Sequence, residues 1–142
     1  MTDGSTILVS VNADDRPGIT AGLMRVLSDT GAEIYDVEQI VVRGRLTLNI
    51  LIGVGESRST ISELLFYGWE NKLRIEFDAI ETNPSEPTLS HVVTVIGARV
   101  SPQDFGAVAE AIASGGGNID RIFRLSRYPV ISYELAVSGG DP

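Results

Sequence analysis

The sequence predicts an α+β fold in which a complete β-α-β-β-α-β unit is followed by a shorter β-α-β-β copy. Three observations support this prediction. The pattern of apolar residues, prolines and glycines repeats along the chain, strand-like and helix-like periodicities alternate in the same order in each copy, and a polar segment with two prolines separates the copies. For the complete unit we expect a two-layer sandwich with an antiparallel sheet in strand order 4-1-3-2 and both helices on one face.

The repeat has a period of 85 residues, at which Pro17 recurs as Pro102 and Gly31 as Gly116. The apolar positions coincide at the same shift without a gap. The coinciding pairs include Ile7 with Val92, Val11 with Ile96, Leu23 with Val108, Leu27 with Ile112, Leu48 with Tyr133, Ile50 with Leu135 and Ile52 with Val137. A duplicated domain is the simplest explanation.

The first domain is predicted to span residues 1–82. Its expected elements are strands at 6–11, 33–42, 46–54 and 74–81 and helices at 19–30 and 61–69. Residues 12–18 form a polar loop, in which Pro17 suits a first helical turn. Asp15 can cap the first helix, bind a ligand, or do both. Gly31 is expected to end that helix in the left-handed conformation.

The second domain is predicted at 89–142, after a linker at 83–88. Its expected elements are a strand at 91–96, a helix at 101–114 and a hairpin of strands at 119–125 and 130–137. Ser101, Pro102 and Asp104 have the spacing of a capping box at the helix start. The repeat predicts a further helix and strand that the sequence does not contain. We therefore expect an excised piece of a longer protein, or a chain whose exposed strand edge is covered by a partner in a homodimer.

Composition excludes several classes of function. The formal net charge of -8 and the pI of about 4.5 disfavour binding to nucleic acid. The chain has no Cys and one His, so thiol catalysis and Cys- or His-based metal sites are excluded. No secretory signal and no run of about 20 apolar residues is present. We expect a soluble cytoplasmic protein without membrane contact.

Several motifs carry a resemblance to a known family. The segments Asp15-Arg16-Pro17-Gly18-Ile19-Thr20, Val37-Glu38-Gln39-Ile40-Val41-Val42-Arg43-Gly44-Arg45-Leu46-Thr47-Leu48, Gly117-Asn118-Ile119-Asp120 and Tyr128-Pro129-Val130 resemble the tandem ACT domains of actinobacterial phosphoserine phosphatases. ACT domains are ferredoxin-like sandwiches that bind amino acids and regulate enzymes. The resemblance covers nearly the whole chain, and the hairpin from Val37 to Leu48 is its specific part.

The resemblance implies a regulatory tandem module that binds L-serine, placed ahead of a catalytic domain that hydrolyses phosphoserine to serine and phosphate with Mg2+. Such a catalytic domain opens with Asp-x-Asp-x-Thr, whose first Asp is the nucleophile. That motif is absent here. We therefore expect this chain to contain no catalytic residues, no metal site and no cofactor of its own.

Free backbone N–H groups at a helix start can bind a carboxylate, and an acidic or amide side chain can accept from an ammonium group. The sequence places such N–H groups at Gly18, Ile19 and Thr20, and the acceptor at Asp15 or Asn12. The predicted ligand residues of this loop are Asn12, Asp15, Arg16, Pro17, Gly18 and Ile19. The resemblance adds Asn118 and Ile119, because ACT pockets are typically completed by a residue just after the first helix of a second domain.

Two other functions are compatible with the same fold. A free-standing ACT regulator would act through protein contacts, as proteins resembling the repressor of glycine cleavage do. An acylphosphatase would need an Arg in a phosphate-cradling loop after the first strand. Arg16 lacks a glycine-rich cradle, so the sequence disfavours that enzyme.

Overall fold

The computed structural model describes residues 5–55, 59–80 and 89–139, and for residues 89 and 90 it describes the backbone only. The chain divides into two compact units, Met1–Asn83 and Pro84–Pro142. The predicted linker at 83–88 lies outside the described residues.

The first unit has the predicted order β-α-β-β-α-β. Its elements are β1 (Ser5–Asp14), α1 (Ile19–Asp29), β2 (Glu33–Val42), β3 (Arg45–Val54), α2 (Ser59–Asn71) and β4 (Arg74–Ile80). The sheet order is β2-β3-β1-β4 with all neighbours antiparallel, which is the predicted order read from the other edge. The fold prediction for this unit is confirmed.

The core of the first unit lies between one face of the sheet and both helices. Alternate residues of the two central strands point into it, because successive strand side chains face opposite sides. The buried residues are Ile7, Val9, Val11 and Ala13 on β1, Leu46, Leu48, Ile50, Ile52 and Val54 on β3, and Ile19, Leu23, Leu27 and Leu64 on the helices. Strand and helix residues share one cluster, so both helices cover the same face, as predicted.

Strand β2 lies at the edge of the sheet and contains a bulge. Its pairing with β3 shifts between Ile34 and Asp36, so Tyr35 is an extra residue on this strand. After the bulge, Gln39 lies opposite Leu48. Because Leu48 points into the core, Gln39 is on the face of the sheet that carries the helices.

The second unit contains β5 (Leu89–Gly97), α3 (Pro102–Ser114), β6 (Gly117–Ser126) and β7 (Ile131–Gly139). Its sheet has the order β5-β7-β6, again antiparallel, so β5 is an edge strand among the described residues. Gly115 caps the end of α3, and Gly116 has a φ of 84°. The pairing of β6 with β7 shifts between Ile119 and Arg121, 85 residues after the bulge in β2.

The ungapped alignment of the two copies is wrong for β5. Val9 lies opposite Ile50 in the first unit, and Val93 lies opposite Leu135 in the second. Ile50 and Leu135 are separated by the predicted 85 residues, but Val9 and Val93 are separated by only one residue less than that. A one-residue change of register exchanges the faces of a strand. The faces of Val92 and Ile96 are therefore the reverse of those predicted.

The ring contact between Phe105 of α3 and Tyr133 of β7, with centroids 4.8 Å apart, identifies the helix face of this sheet. Val95 lies opposite Tyr133 and shares that face. Val92 and Ile96 are on the other face and are 63% and 65% exposed.

Candidate functional site

Helix α1 begins without a side-chain cap. Its N-cap residue is Gly18, which has a φ of 95° and makes no side-chain hydrogen bond. Of the roles that the sequence left open for Asp15, capping of the helix is therefore not observed, and Pro17 precedes the cap instead of lying in the first turn. The backbone N–H of Asp15 donates to the Gly44 carbonyl at 2.8 Å, which ties the loop to the hairpin turn between β2 and β3.

This start leaves the first-turn N–H groups of α1 without partners. An α-helix cannot satisfy these groups internally. The N–H groups of Ile19, Thr20 and Ala21 donate to no acceptor within the described residues. Gly18 provides no side chain, and apart from its two chain neighbours no described residue has an atom within 4 Å of where a Cβ would be built on it. The N-terminus of α1 therefore offers free donors, the positive end of the helix dipole and room for a ligand.

A cavity of about 310 Å³ lies at this helix start. Its apolar lining includes Ile19 and Leu46, which are both buried. The residues around it are Asp15, Arg16, Pro17, Gly18, Ile19, Thr20, Ala21, Gln39 and Leu46. The volume is at the lower end of the range for small-molecule sites, about 300 to 1,000 Å³. The structure thus brings together five of the predicted ligand residues, from Asp15 to Ile19.

Two neighbouring aspartates in the loop have different surroundings. Asp14 forms an ion pair with Arg45 at 2.6 Å, at the end of the β1–β3 ladder. The Asp15 carboxylate makes no hydrogen bond or ion pair with any residue that the structure describes. It is exposed beside the cavity, where it can accept from a ligand cation.

The Arg16 side chain reaches α2. Its Nη2 donates to the Asn71 carbonyl at 2.5 Å, and Asn71 is the last residue of that helix. A cation is favourable there because the C-terminus of a helix carries partial negative charge. Arg16 thus joins the loop of the cavity to the end of α2.

Gln39 is a cavity residue that the site prediction missed. Its side chain reaches from β2 to α1, where the Thr20 hydroxyl lies 2.5 Å from Oε1. These residues are 19 positions apart, so no local spacing indicates the contact. The one signal in the sequence is an amide placed in an apolar strand, between Val37 and Val41.

Of the remaining predicted ligand residues, Asn12 lies away from the cavity, and Asn118 and Ile119 belong to the second unit. Asn12 lies on the opposite face of the sheet from the helices, where its Oδ1 accepts from the Thr47 hydroxyl at 3.2 Å. Asn118 and Ile119 belong to β6 of the second unit, where Asn118 Nδ2 donates to Asp120 Oδ1 at 2.8 Å. The contribution of Asn118 and Ile119 to a ligand site stays a prediction.

The family follows from two matches that together cover most of the chain. One family model, described as an ACT domain, matches residues 5–78, and a second ACT-domain model matches residues 89–141. The chain belongs to the ACT-domain family. The two units are tandem ACT domains, and domains of this kind generally bind small amino acids.

Curated relatives of this pair of ACT domains include two actinobacterial enzymes. A phosphoserine phosphatase of Streptomyces coelicolor is 37% identical over 147 residues, which cover 97% of this chain and 35% of the relative. A phosphoserine phosphatase of Mycobacterium tuberculosis is 35% identical over 141 residues, covering 94% of this chain and 34% of the relative. The chain therefore spans about a third of the length of these relatives.

Two solved structures have the same fold as the tandem ACT domains. A protein of Galdieria sulphuraria with no stated function has a TM-score of 0.77 at 18% identity, covering 97% of this chain and 84% of that one. A proposed glycine cleavage system transcriptional repressor has a TM-score of 0.70 at 16% identity, covering 97% and 82%. At these identities the likeness concerns the fold alone.

The second ACT domain has a closed helix start. Ser101 Oγ accepts from the Asp104 N–H at 3.1 Å, and Asp104 Oδ2 accepts from the Ser101 N–H at 3.0 Å. Pro102 occupies the first helical position, so the predicted capping box is confirmed. The Ser101 backbone N–H, and then its hydroxyl, hold the pKa of Asp104 below its ordinary value of 3.8. This helix start already has its own anion, whereas the one in the first ACT domain does not.

The described residues contain neither a cluster of metal-ligating side chains nor a membrane-spanning helix. Across 5–55, 59–80 and 89–139, no group of three or more His, Asp or Glu residues is placed to hold a metal ion. No helix within those ranges is long and apolar enough to cross a membrane.

Proposed function

We propose that the first ACT domain binds L-serine, and that the chain is the amino-acid-sensing region of a phosphoserine phosphatase. The uncapped start of α1, open to a cavity beside an unpaired Asp15, carries the proposal. The relatives named phosphoserine phosphatase align over nearly the whole chain, which supports the assignment to that enzyme.

The charges at the cavity are arranged to suit an amino acid. The free N–H groups of Ile19, Thr20 and Ala21 provide donors for an α-carboxylate, as helix N-termini do for anions. The Asp15 carboxylate provides an acceptor for the α-ammonium group. Ile19 and Leu46 line the same cavity with apolar side chains that belong to the buried core.

A comparison of the two domains supports the same location. The capping box of Ser101 and Asp104 uses the donors at the start of α3. A carboxylate ligand would have to displace Asp104 from that position. The first domain needs no such displacement, so we assign the ligand to the first domain.

Isothermal titration calorimetry with L-serine, glycine and O-phospho-L-serine tests the proposal. Serine should release or absorb heat on binding to the 142-residue chain and to the full-length encoded protein. A ligand specific to the folded state should also stabilise it, by about 2.7 kcal/mol at a hundredfold excess over Kd. Absence of serine binding in both proteins would contradict the proposal.

Asp14 and Asp15 offer a matched pair of variants. Asp15→Asn removes the charge without loss of a helix cap and should weaken serine binding about tenfold or more, since hydrogen bonds to charged groups contribute about 1.5 to 3 kcal/mol. Asp14→Asn removes the adjacent charge, which pairs with Arg45, and should leave the Kd within about twofold. Equal effects of the two variants would place the ammonium group elsewhere.

The assignment to a phosphatase is tested separately. The gene should encode an Asp-x-Asp-x-Thr motif downstream of residue 142, in a domain that hydrolyses phosphoserine. A gene without that motif would favour the alternative, a regulator that acts through protein contacts.

A further inference from the structure

We propose that Gln39 and Thr20 form a specificity pair that recognises the side-chain hydroxyl group of a small hydroxy amino acid. This inference rests on the proposed function, because it concerns the same cavity. These two side chains would distinguish serine from alanine or glycine.

The fold places the two side chains together from separate elements. Thr20 is the second residue of α1, and Gln39 lies near the middle of β2. The bulge at Tyr35 sets the register that puts Gln39 on the helix face of the sheet, opposite Leu48. Thr20 Oγ1 and Gln39 Oε1 are 2.5 Å apart, and both residues line the cavity.

The pair retains unused hydrogen-bonding capacity. When the Thr20 hydroxyl donates to Oε1, the two Nε2 protons and the lone pairs of Oγ1 remain. If the amide is turned so that Nε2 donates to Oγ1, the hydroxyl proton and Oε1 remain instead. In either arrangement a donor and an acceptor are adjacent. Within the described residues, the Gln39 amide has no other hydrogen-bond partner.

An adjacent donor and acceptor select a particular ligand group. A carboxylate has acceptors only and would bring an oxygen lone pair against the acceptor of the pair. An ammonium has donors only and would oppose the donor. A methyl group would desolvate both without replacing their hydrogen bonds to water. A hydroxyl donates and accepts at once, so it satisfies both members of the pair.

The three polar groups of a hydroxy amino acid then have separate partners. The α-carboxylate lies at the start of α1, the ammonium at Asp15 and the hydroxyl at the Gln39–Thr20 pair. L-Alanine lacks the hydroxyl and leaves the Gln39–Thr20 pair without a hydrogen-bond partner. Because two hydrogen bonds are lost at a site open to solvent, we expect the Kd for L-alanine to be about tenfold higher than the Kd for L-serine.

The experiment measures the ratio of Kd values for L-alanine and L-serine by calorimetry on the 142-residue chain and the full-length protein. The test variants are Gln39→Leu and Thr20→Val, and the conservative variant is Thr20→Ser. The matched control is Thr47→Val, which makes the same substitution in a Thr–amide pair, with Asn12, on the other face of the sheet. Circular dichroism and thermal unfolding confirm that each variant is folded.

The ratio should be about ten in the unsubstituted chain, in Thr20→Ser and in Thr47→Val. It should fall to about one in Gln39→Leu and in Thr20→Val, and the double variant should lose no more than either single variant, because the two side chains act together. Serine binding with an unchanged ratio in both test variants would overturn this inference alone. Failure of the unsubstituted proteins to bind either amino acid would overturn the proposed function, and this inference with it.

Discussion

Gly22 on α1 is the position where the packing of the two helices of the first domain can be tested most directly. It is buried, and a Cβ built on it would lie 1.7 Å from Tyr67 Oη and 2.5 Å from Tyr67 Cζ on α2. Real Cβ atoms do not make such contacts. Gly22→Ala therefore requires the Tyr67 ring to move from its place against the core cluster.

Two opposing effects decide the sign of the change. Replacing Gly by Ala inside a helix favours folding by about 0.8 to 1 kcal/mol. Overpacking a filled site costs about 1 to 3 kcal/mol. The steric effect is the larger, so we expect Gly22→Ala to lower the free energy of unfolding by about 1 kcal/mol. The corresponding fall in melting temperature is about 4 to 8 °C for a domain of this size.

A variant without the Tyr67 ring separates the steric effect of Gly22→Ala from its effect on helix propensity. When Tyr67→Ala has removed the ring, only the helix-propensity effect of Gly22→Ala remains, and the same substitution should then raise the free energy of unfolding by about 0.8 kcal/mol. Urea unfolding followed by circular dichroism gives both differences, provided the slope with urea is unchanged. If Gly22→Ala stabilised the protein with Tyr67 in place, the packing argument would be refuted.

Further predictions concern the second domain. Ser101→Ala should destabilise α3 by about 1 kcal/mol at neutral pH, as loss of an N-cap does, measurable by amide hydrogen exchange in that helix. Folding lowers the pKa of Asp104, so the ionised carboxylate should stabilise the folded domain above pH 3.8, and this stabilisation should disappear as the pH falls through the lower folded-state pKa. If Ser101→Ala cost the same stability throughout that pH interval, the predicted pH dependence would be wrong. Leu135→Ala, at a fully buried position, should cost about 2 to 5 kcal/mol, whereas Ile96→Ala on the outward face of β5 should be nearly neutral; equal costs in denaturant unfolding would refute the register of β5.

The sequence predicted the fold well because the elements of the first domain have unambiguous periodicity. β3 is the clearest case, since Leu46, Leu48, Ile50 and Ile52 alternate with less buried residues and all four are buried. The capping box at Ser101 was equally predictable, because it depends only on residues three positions apart.

The face of β5 could not be predicted by the same reasoning. Val92, Val93, Thr94, Val95 and Ile96 are adjacent, and alternate positions on either face look apolar. The register is decided by pairing with β7, a contact between residues about 40 positions apart. The repeat predicted the position of the strand, but not which of its alternate residues face the helix.

The candidate site was predictable in part. The motif from Asp15 to Ile19 is local, and the structure gathers those residues at one cavity. The sequence left open whether Asp15 caps α1, because the bond from Asp15 N–H to Gly44 O depends on the hairpin turn, which lies far along the chain. Gln39 was missed for a similar reason, since only the bulge and the sheet register bring it to Thr20.

The bulge also bears on the history of the chain. It occurs at corresponding positions in both domains, after Ile34 in the first and after Ile119 in the second. A bulge that was present before the duplication is the simplest explanation of this correspondence. The helix starts, by contrast, differ between the two copies. The two hairpins therefore share the irregularity that sets which of their side chains face the helical side of the sheet.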